Sequence, residues 1–156
     1  MLVLEPKLEY IFSITLYMGA REKFPPMPNG LRRGFTAAAG GEVEGPALNG
    51  KIVENSGGDY PLVDQDGNVQ FNAHYLIEAN DGTRIYMNNR GYRHGTPEIN
   101  ERLQANELVP LDQYYFRIAP KFGAPAGPYA WLNNTIIVGA ADRREDHTIF
   151  HYYAVR

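Results

Sequence analysis

The 156 residues carry 15 basic and 18 acidic side chains, a net charge of −3, and no cysteine. A chain of this length makes one domain and buries a full core without staples. The missing thiols exclude disulfides, thiolate metal sites and thiol nucleophiles, and the acidic balance argues against a phosphate-binding surface, because the basic doublets Arg32-Arg33 and Arg143-Arg144 are isolated. Taken in chain order, the elements are short and mostly of period 2. Residues Tyr10 to Met18 read as a strand rich in aromatic and β-branched types. Residues 19–34, with three prolines and three glycines, read as a loop. Phe35–Val43 and Lys51–Asn55 form a strand pair, followed by a turn cluster over residues 56–61. Phe71–Ala79 and Thr83–Arg90 flank Asn80-Asp81-Gly82, a strong hairpin signal. With Asp81-Gly82 as a two-residue loop, His74 faces Asn89, Leu76 faces Met87 and Tyr75 faces Asn88. A slip of one residue would exchange the two faces. Thr96-Pro97-Glu98 opens the one helix candidate, over residues 96–107, with Thr96 as cap and Pro97 in the first helical position. Tyr114–Ala119 is a further strand, residues 120–128 a loop, and Trp131–Gly139 with Thr148–Val155 a closing hairpin around residues 140–147.

Eight to ten short strands with at most one surface helix predict an all-β fold, a single antiparallel closed barrel spanning residues 1–156. Closure leaves no strand edge exposed. No apolar run reaches the roughly 18 residues of a membrane span. The N-terminal stretch mixes acid with apolar residues and does not read as a secretory leader. The expected location is the cytoplasm, with no nucleic-acid or membrane partner, a small molecule as ligand or substrate, and a homo-oligomer as an open possibility.

Several runs carry a family resemblance. Gly40-Gly41-Glu42-Val43-Glu44-Gly45-Pro46-Ala47-Leu48-Asn49-Gly50 looks like a GG-x-F-x-GP-x-L-x-G signature. Gly57-Gly58-Asp59-Tyr60 looks like a shortened GGADW, and Asn72-Ala73-His74-Tyr75 with Asp81-Gly82 and Ile85 looks like DARY…DGA-x-I. Tyr129-Ala130-Trp131-Leu132-Asn133 looks like Y-x-W-L-N. In order and spacing these resemble the domain of unknown function 3237 family. The resemblance implies a lipocalin-like barrel around a pocket and says little of activity. The chain departs from the pattern at Asn72, where the family usually has Asp, and at His74, where it usually has Arg.

The candidate chemistry centres on His74 and Asp59 as proton-transfer groups. On the predicted register His74 shares a face with Asn72, Asn89, Met87 and Leu76, an imidazole with amides in an apolar setting. Asp59 follows two glycines at one barrel rim. Tyr115, Arg117, Tyr129, Trp131 and Asn133 are candidates for an aromatic, partly polar lining, and Arg32, Arg33, Arg90 or Arg117 for bidentate contact with a substrate carboxylate. No metal or cofactor is expected: His147 and His151, four residues apart on a strand, are about 13 Å from each other. The leading expectation is a cofactor-independent enzyme performing isomerase, cyclase, or lyase and hydratase proton transfer. The alternatives are a non-catalytic small-molecule-binding barrel and a barrel filled by its own side chains.

Overall fold

The computed structural model describes residues 1–156. Eleven strands form one sheet: β1 (Leu8–Lys23), β2 (Arg32–Glu44), β3 (Gly50–Ile52), β4 (Gly58–Asp59), β5 (Leu62–Val63), β6 (Val69–Ala79), β7 (Arg84–His94), β8 (Tyr115–Ile118), β9 (Lys121–Gly123), β10 (Ile137–Arg143) and β11 (His147–Val155). The helix α1 (Pro97–Gln104) lies between β7 and β8. Neighbours pair antiparallel, and β11 returns to β1 from Leu8↔Val155 to Tyr17↔His147. β3, β4 and β5 succeed one another between β2 and β6. β8 and β9 share the far side of β7. The wall is therefore a closed eight-stranded barrel with two of its staves broken. Closure is the reason an all-β chain of this size presents no template for further strand pairing.

Alternation along each strand divides interior from exterior. On β11, Thr148, Phe150, Tyr152 and Ala154 are buried, while His147, Ile149, His151 and Tyr153 are half-exposed. One end of the interior is filled. Phe12, Ile14, Ile77, Ile85, Met87 and Tyr152 are completely buried there. Phe12 packs at 5.3 Å from Tyr152 and 6.1 Å from Phe122, centroid to centroid. Each such side chain contributes about 1.5–3 kcal/mol by leaving water.

The hairpin at Asp81-Gly82 exists, but its loop has three residues. The amide of Ala79 donates to the Thr83 carbonyl at 2.9 Å, and Gly82 takes φ +89°. A turn closed by a glycine in the left-handed region is the usual three-residue solution. The register consequently moves by one from the expected pairing: His74 lies opposite Asn88, Ala73 opposite Asn89, and Tyr75 opposite Met87. This places His74 on the outer face and Tyr75 on the inner one.

The helix begins as the sequence predicts, with Thr96 Oγ1 accepting from the Ile99 amide at 3.2 Å and Pro97 in the first turn. It ends sooner, at Gln104, and its Leu103 is buried over the open end of the barrel. Other boundaries differ. β1 runs on to Lys23, through residues read as loop. β9 lies within the expected loop 120–128. Ala130–Asn133 is a 3-10 turn, so β10 starts only at Ile137 and continues to Arg143. No helix is long and apolar enough to cross a membrane.

A candidate active site in the hollow end of the barrel

The interior opposite the filled end contains a cavity of about 190 Å³. Small residues leave it open: Ala38 on β2 and Ala73 on β6 occupy inward positions where the filled end has Phe12 and Tyr152. Phe35, Phe71, Phe116, Phe150 and Val69 form much of the wall, and Leu103 of α1 closes the top.

Asp59 faces this space. The register sets a row of inward residues across four strands: Thr36 opposite Asp59, Asp59 opposite Ala73, and Ala73 opposite Asn89. The alanine methyl leaves room between carboxyl and amide. β4, which holds Asp59, is only two residues long and is wedged between β2 and β6. The wedge requires glycine. A side chain on Gly57 would start 1.8 Å from the His74 carbonyl oxygen, and one on Gly58 would start 2.6 Å from that of Thr36. The Asn72 amide donates to Asp59 Oδ1 at 2.8 Å and fixes the carboxyl orientation.

Burial pushes the Asp59 carboxyl up to about 6, against the lowering effect of the Asn72 and Tyr60 amides and of the Arg93 and Arg33 charges. A carboxyl in that range gives and takes a proton near neutrality. Beneath it, Asn89 Oδ1 and the hydroxyls of Tyr75 and Tyr152 are buried without a protein hydrogen-bond partner of normal geometry. Burial holds both phenols well above their ordinary pKa, so they stay protonated as neutral donors. Buried polar atoms left unpaired are uncommon and costly. Tyr75 and Asn89 line the cavity and present these groups to a bound molecule, while Tyr152 lies behind them in the filled end with its hydroxyl turned toward both.

The other sequence candidates are distributed as follows. His74 lies on the outer wall, its Nδ1 hydrogen-bonded to the Tyr86 hydroxyl and its Nε2 3.2 Å from Asn88 Nδ2. The expectation that its imidazole enters the cavity is overturned by the three-residue loop. Asn72 is also on the outside, with its Oδ1 accepting from Asn88 at 2.8 Å, and it serves the site through its backbone amide. The two departures from the family pattern therefore stand together on the outer face. Met87 points inward but belongs to the filled end, fully buried below the cavity. Arg117 and Tyr115 lie outside, the guanidinium 5.6 Å from the ring centroid. Tyr129 and Trp131 pack against the core from a 3-10 turn and its flank, and neither lines the cavity. Asn133 pins the Ala124 backbone through two hydrogen bonds of 2.7 and 2.8 Å. Of the named candidates, Asp59 and Asn89 reach the cavity from its wall and Arg32 and Arg33 from its rim, while Arg90 does not line it. Tyr75, Tyr152 and Arg93 escaped sequence reasoning: a correct hairpin register would have brought Tyr75 inward beside Asn89, and Arg93, on the same face of β7 as Asn89, lies beyond the expected strand end at Arg90.

Known proteins resemble the whole chain. A UPF0311 protein of Rhodopseudomonas palustris is 31% identical over 152 residues, which cover 96% of this chain and 98% of that one. The crystal structure of a β-barrel-like protein from Acinetobacter baumannii AYE superposes with a TM-score of 0.84 at 31% identity, covering 99% of this chain and 98% of its own. A more distant relative is the hydroalkoxylation enzyme phnH of Penicillium herquei, 22% identical over 150 residues that cover 96% of this chain and 84% of it. The model of the family described as protein of unknown function DUF3237 matches residues 6–155, and the chain belongs to that family.

Proposed function

We propose that this barrel is a proton-transfer enzyme acting without a cofactor on a small organic molecule held in its hollow end. The observation that carries the reading is Asp59: a carboxyl at a cavity wall, raised to about 6, one alanine away from the buried amide of Asn89. Pairing of His74 with Asp59 inside the cavity, the sequence-based expectation for an enzyme, plays no part in it. Asp59 supplies the mobile proton. Tyr75 offers a neutral hydroxyl donor at the cavity wall, Asn89 Oδ1 accepts from a substrate hydroxyl, and the phenylalanine walls exclude water.

Among proton-transfer reactions, the distant relationship to a hydroalkoxylation enzyme favours addition of a hydroxyl across a carbon–carbon double bond. The Asp59 proton passes to one alkene carbon, and the substrate's own oxygen bonds to the other. The hydroxyl proton then returns to the carboxylate. The product is an isomer of the substrate, so no oxidant, reductant or second reactant enters the balance.

Incubation with 2-(2-methylallyl)phenol in D2O tests this reading. Wild type should form the dimethyl dihydrobenzofuran carrying one deuterium, and Asp59→Asn should lower kcat by about 100-fold or more, the usual scale for loss of a general acid. Turnover that survives Asp59→Asn would remove the carboxyl from the mechanism. The largely apolar wall also suits a carrier, and saturable binding of the phenol with no turnover would establish that alternative.

A further inference from the structure

The lining of the cavity carries a charge balance opposite to that of the chain. Overall the protein is acidic, at −3. Around the cavity stand Arg21, Lys23, Arg32, Arg33, Arg93 and Arg143, six cationic side chains, against the carboxyl groups of Glu22 and Asp59 alone. Three of the arginines come from separate strands, Arg21 from β1, Arg93 from β7 and Arg143 from β10, and none of them takes part in an ion pair.

Arg93 is the most confined. It is 9% exposed and its Nε is buried with no hydrogen-bond partner. Its guanidinium carbon lies 5.6 Å from the Phe71 ring centroid and 5.9 Å from that of Phe116, two rings stacked on each other at 4.9 Å. Stacking on aromatic faces holds the plane of the guanidinium while leaving its donors free. Arg143 likewise has a buried, unpartnered Nη1. Its other terminal nitrogen and Nη1 of Arg21 both donate to Asn106 Oδ1, an uncharged acceptor shared by two cations. Burial, with Arg143 and Arg21 nearby, lowers Arg93 to about 10, which still leaves it charged. Cations gathered beside a cavity with donors unused are expensive unless a counter-charge arrives. Against them the cavity holds two carboxyl groups, neither in an ion pair with these arginines: Glu22, and Asp59, whose own ionisation burial opposes.

We infer that the hollow end of the barrel takes a small organic acid, its oxyanion held between Arg93 and Arg143 with Arg21 at the rim, and its apolar body lying along Phe71, Phe116 and Phe150 toward Asp59. A planar oxyanion matches the guanidinium fork in two parallel hydrogen bonds. The phenylalanine wall then sets how large the rest of the molecule is. This deepens the proposed function by naming the substrate class. The reacting part of the acid would lie at the Asp59 end and its charged part at the arginines.

Calorimetric titration of the full chain near pH 7 with p-toluate, its neutral counterpart p-toluamide, and inorganic phosphate tests the inference. Wild type should bind p-toluate at least about tenfold more tightly than p-toluamide, the scale of a hydrogen bond to a charged group. Phosphate, lacking an apolar body, should bind more weakly than p-toluate. Arg93→Gln and Arg143→Gln should each reduce the acid-over-amide ratio to about threefold or less. Should Arg93→Gln fail to fold, Arg143→Gln and the wild-type ratio decide the matter. Equal affinity for acid and amide, no saturable binding of the acid, phosphate binding as tight as p-toluate, or a ratio unchanged in Arg143→Gln would overturn the inference. Asp59→Asn should keep the acid preference. A preserved preference without Asp59-dependent turnover would leave the anion site standing while the catalytic reading falls.

Discussion

Asp59 illustrates how one buried carboxyl ties function to stability. Its pKa is raised in the folded chain, from 3.8 to about 6. The native state thus holds the proton more tightly than the unfolded state does. Below about pH 4 both states are protonated and the residue is neutral in its effect. As pH rises from about 4 to about 6 the unfolded state loses its proton first, so native stability falls, by at most about 3 kcal/mol, and stays lower above that window. Asp59→Asn removes this penalty while retaining an oxygen that can accept from the Asn72 amide. Denaturant titrations should therefore find the variant more stable than wild type at pH values well above 6, with the gap closing toward pH 4. A gap independent of pH would mean that Asp59 is not desolvated as described. His74 gives the opposite expectation. Its partners Tyr86 and Asn88 stand on the outer wall, so His74→Ala should leave turnover within about twofold of wild type and cost about 1 kcal/mol or less in stability. A large loss of kcat on this substitution would restore the imidazole to the mechanism.

At the scale of elements, sequence reasoning succeeded where a local signal settled a local conformation, and failed where the conformation was settled from outside. Thr96-Pro97 carries its own instruction, because a hydroxyl acceptor and a fixed φ both belong at a helix start, and α1 begins there. Asp81-Gly82 announces a hairpin but fits both two- and three-residue loops. One extra loop residue reverses every side chain on one strand relative to the other. That single residue decides whether His74 or Tyr75 enters the barrel. The run around Asp59 reads as a turn because glycine, aspartate and proline dominate it. It is a strand because β2 and β6 approach closely enough to trap two residues, which no periodicity records. Trp131 to Asn133 are apolar enough to pass for a strand and form a 3-10 turn over the core instead. Gly82→Ala tests the hairpin. At φ +89° an alanine is strained, with nothing within 4 Å of the added methyl to clash, so the loss should be purely conformational, about 1 kcal/mol. A thermal shift much larger than that corresponding loss would show that the loop contributes more than its backbone conformation.

Across the whole molecule the barrel divides its labour along its axis. Large side chains from β1, β6, β7 and β11 interlock at one end and supply much of the burial that holds the wall closed. At the other end alanines and a threonine face a hollow crowned by arginines, with several polar atoms unpaired. Unpaired buried groups and unfilled volume both cost stability, so the hollow end is tolerated because the filled end is tightly packed. This predicts that the two properties respond to different substitutions. Ile85→Ala, in the filled end, should lower stability by about 2–5 kcal/mol through lost contact and residual void, measured as a shift in denaturation midpoint. Ala73→Leu, between Asp59 and Asn89 in the cavity, adds apolar bulk to empty space. It should leave the midpoint unchanged or higher, yet weaken p-toluate binding and phenol cyclisation by about tenfold or more, because the added side chain occupies the volume where the ligand lies. If Ala73→Leu instead destabilised the fold as much as Ile85→Ala does, the space beside Asp59 would be packed core, and the barrel would have no room for the chemistry assigned to it.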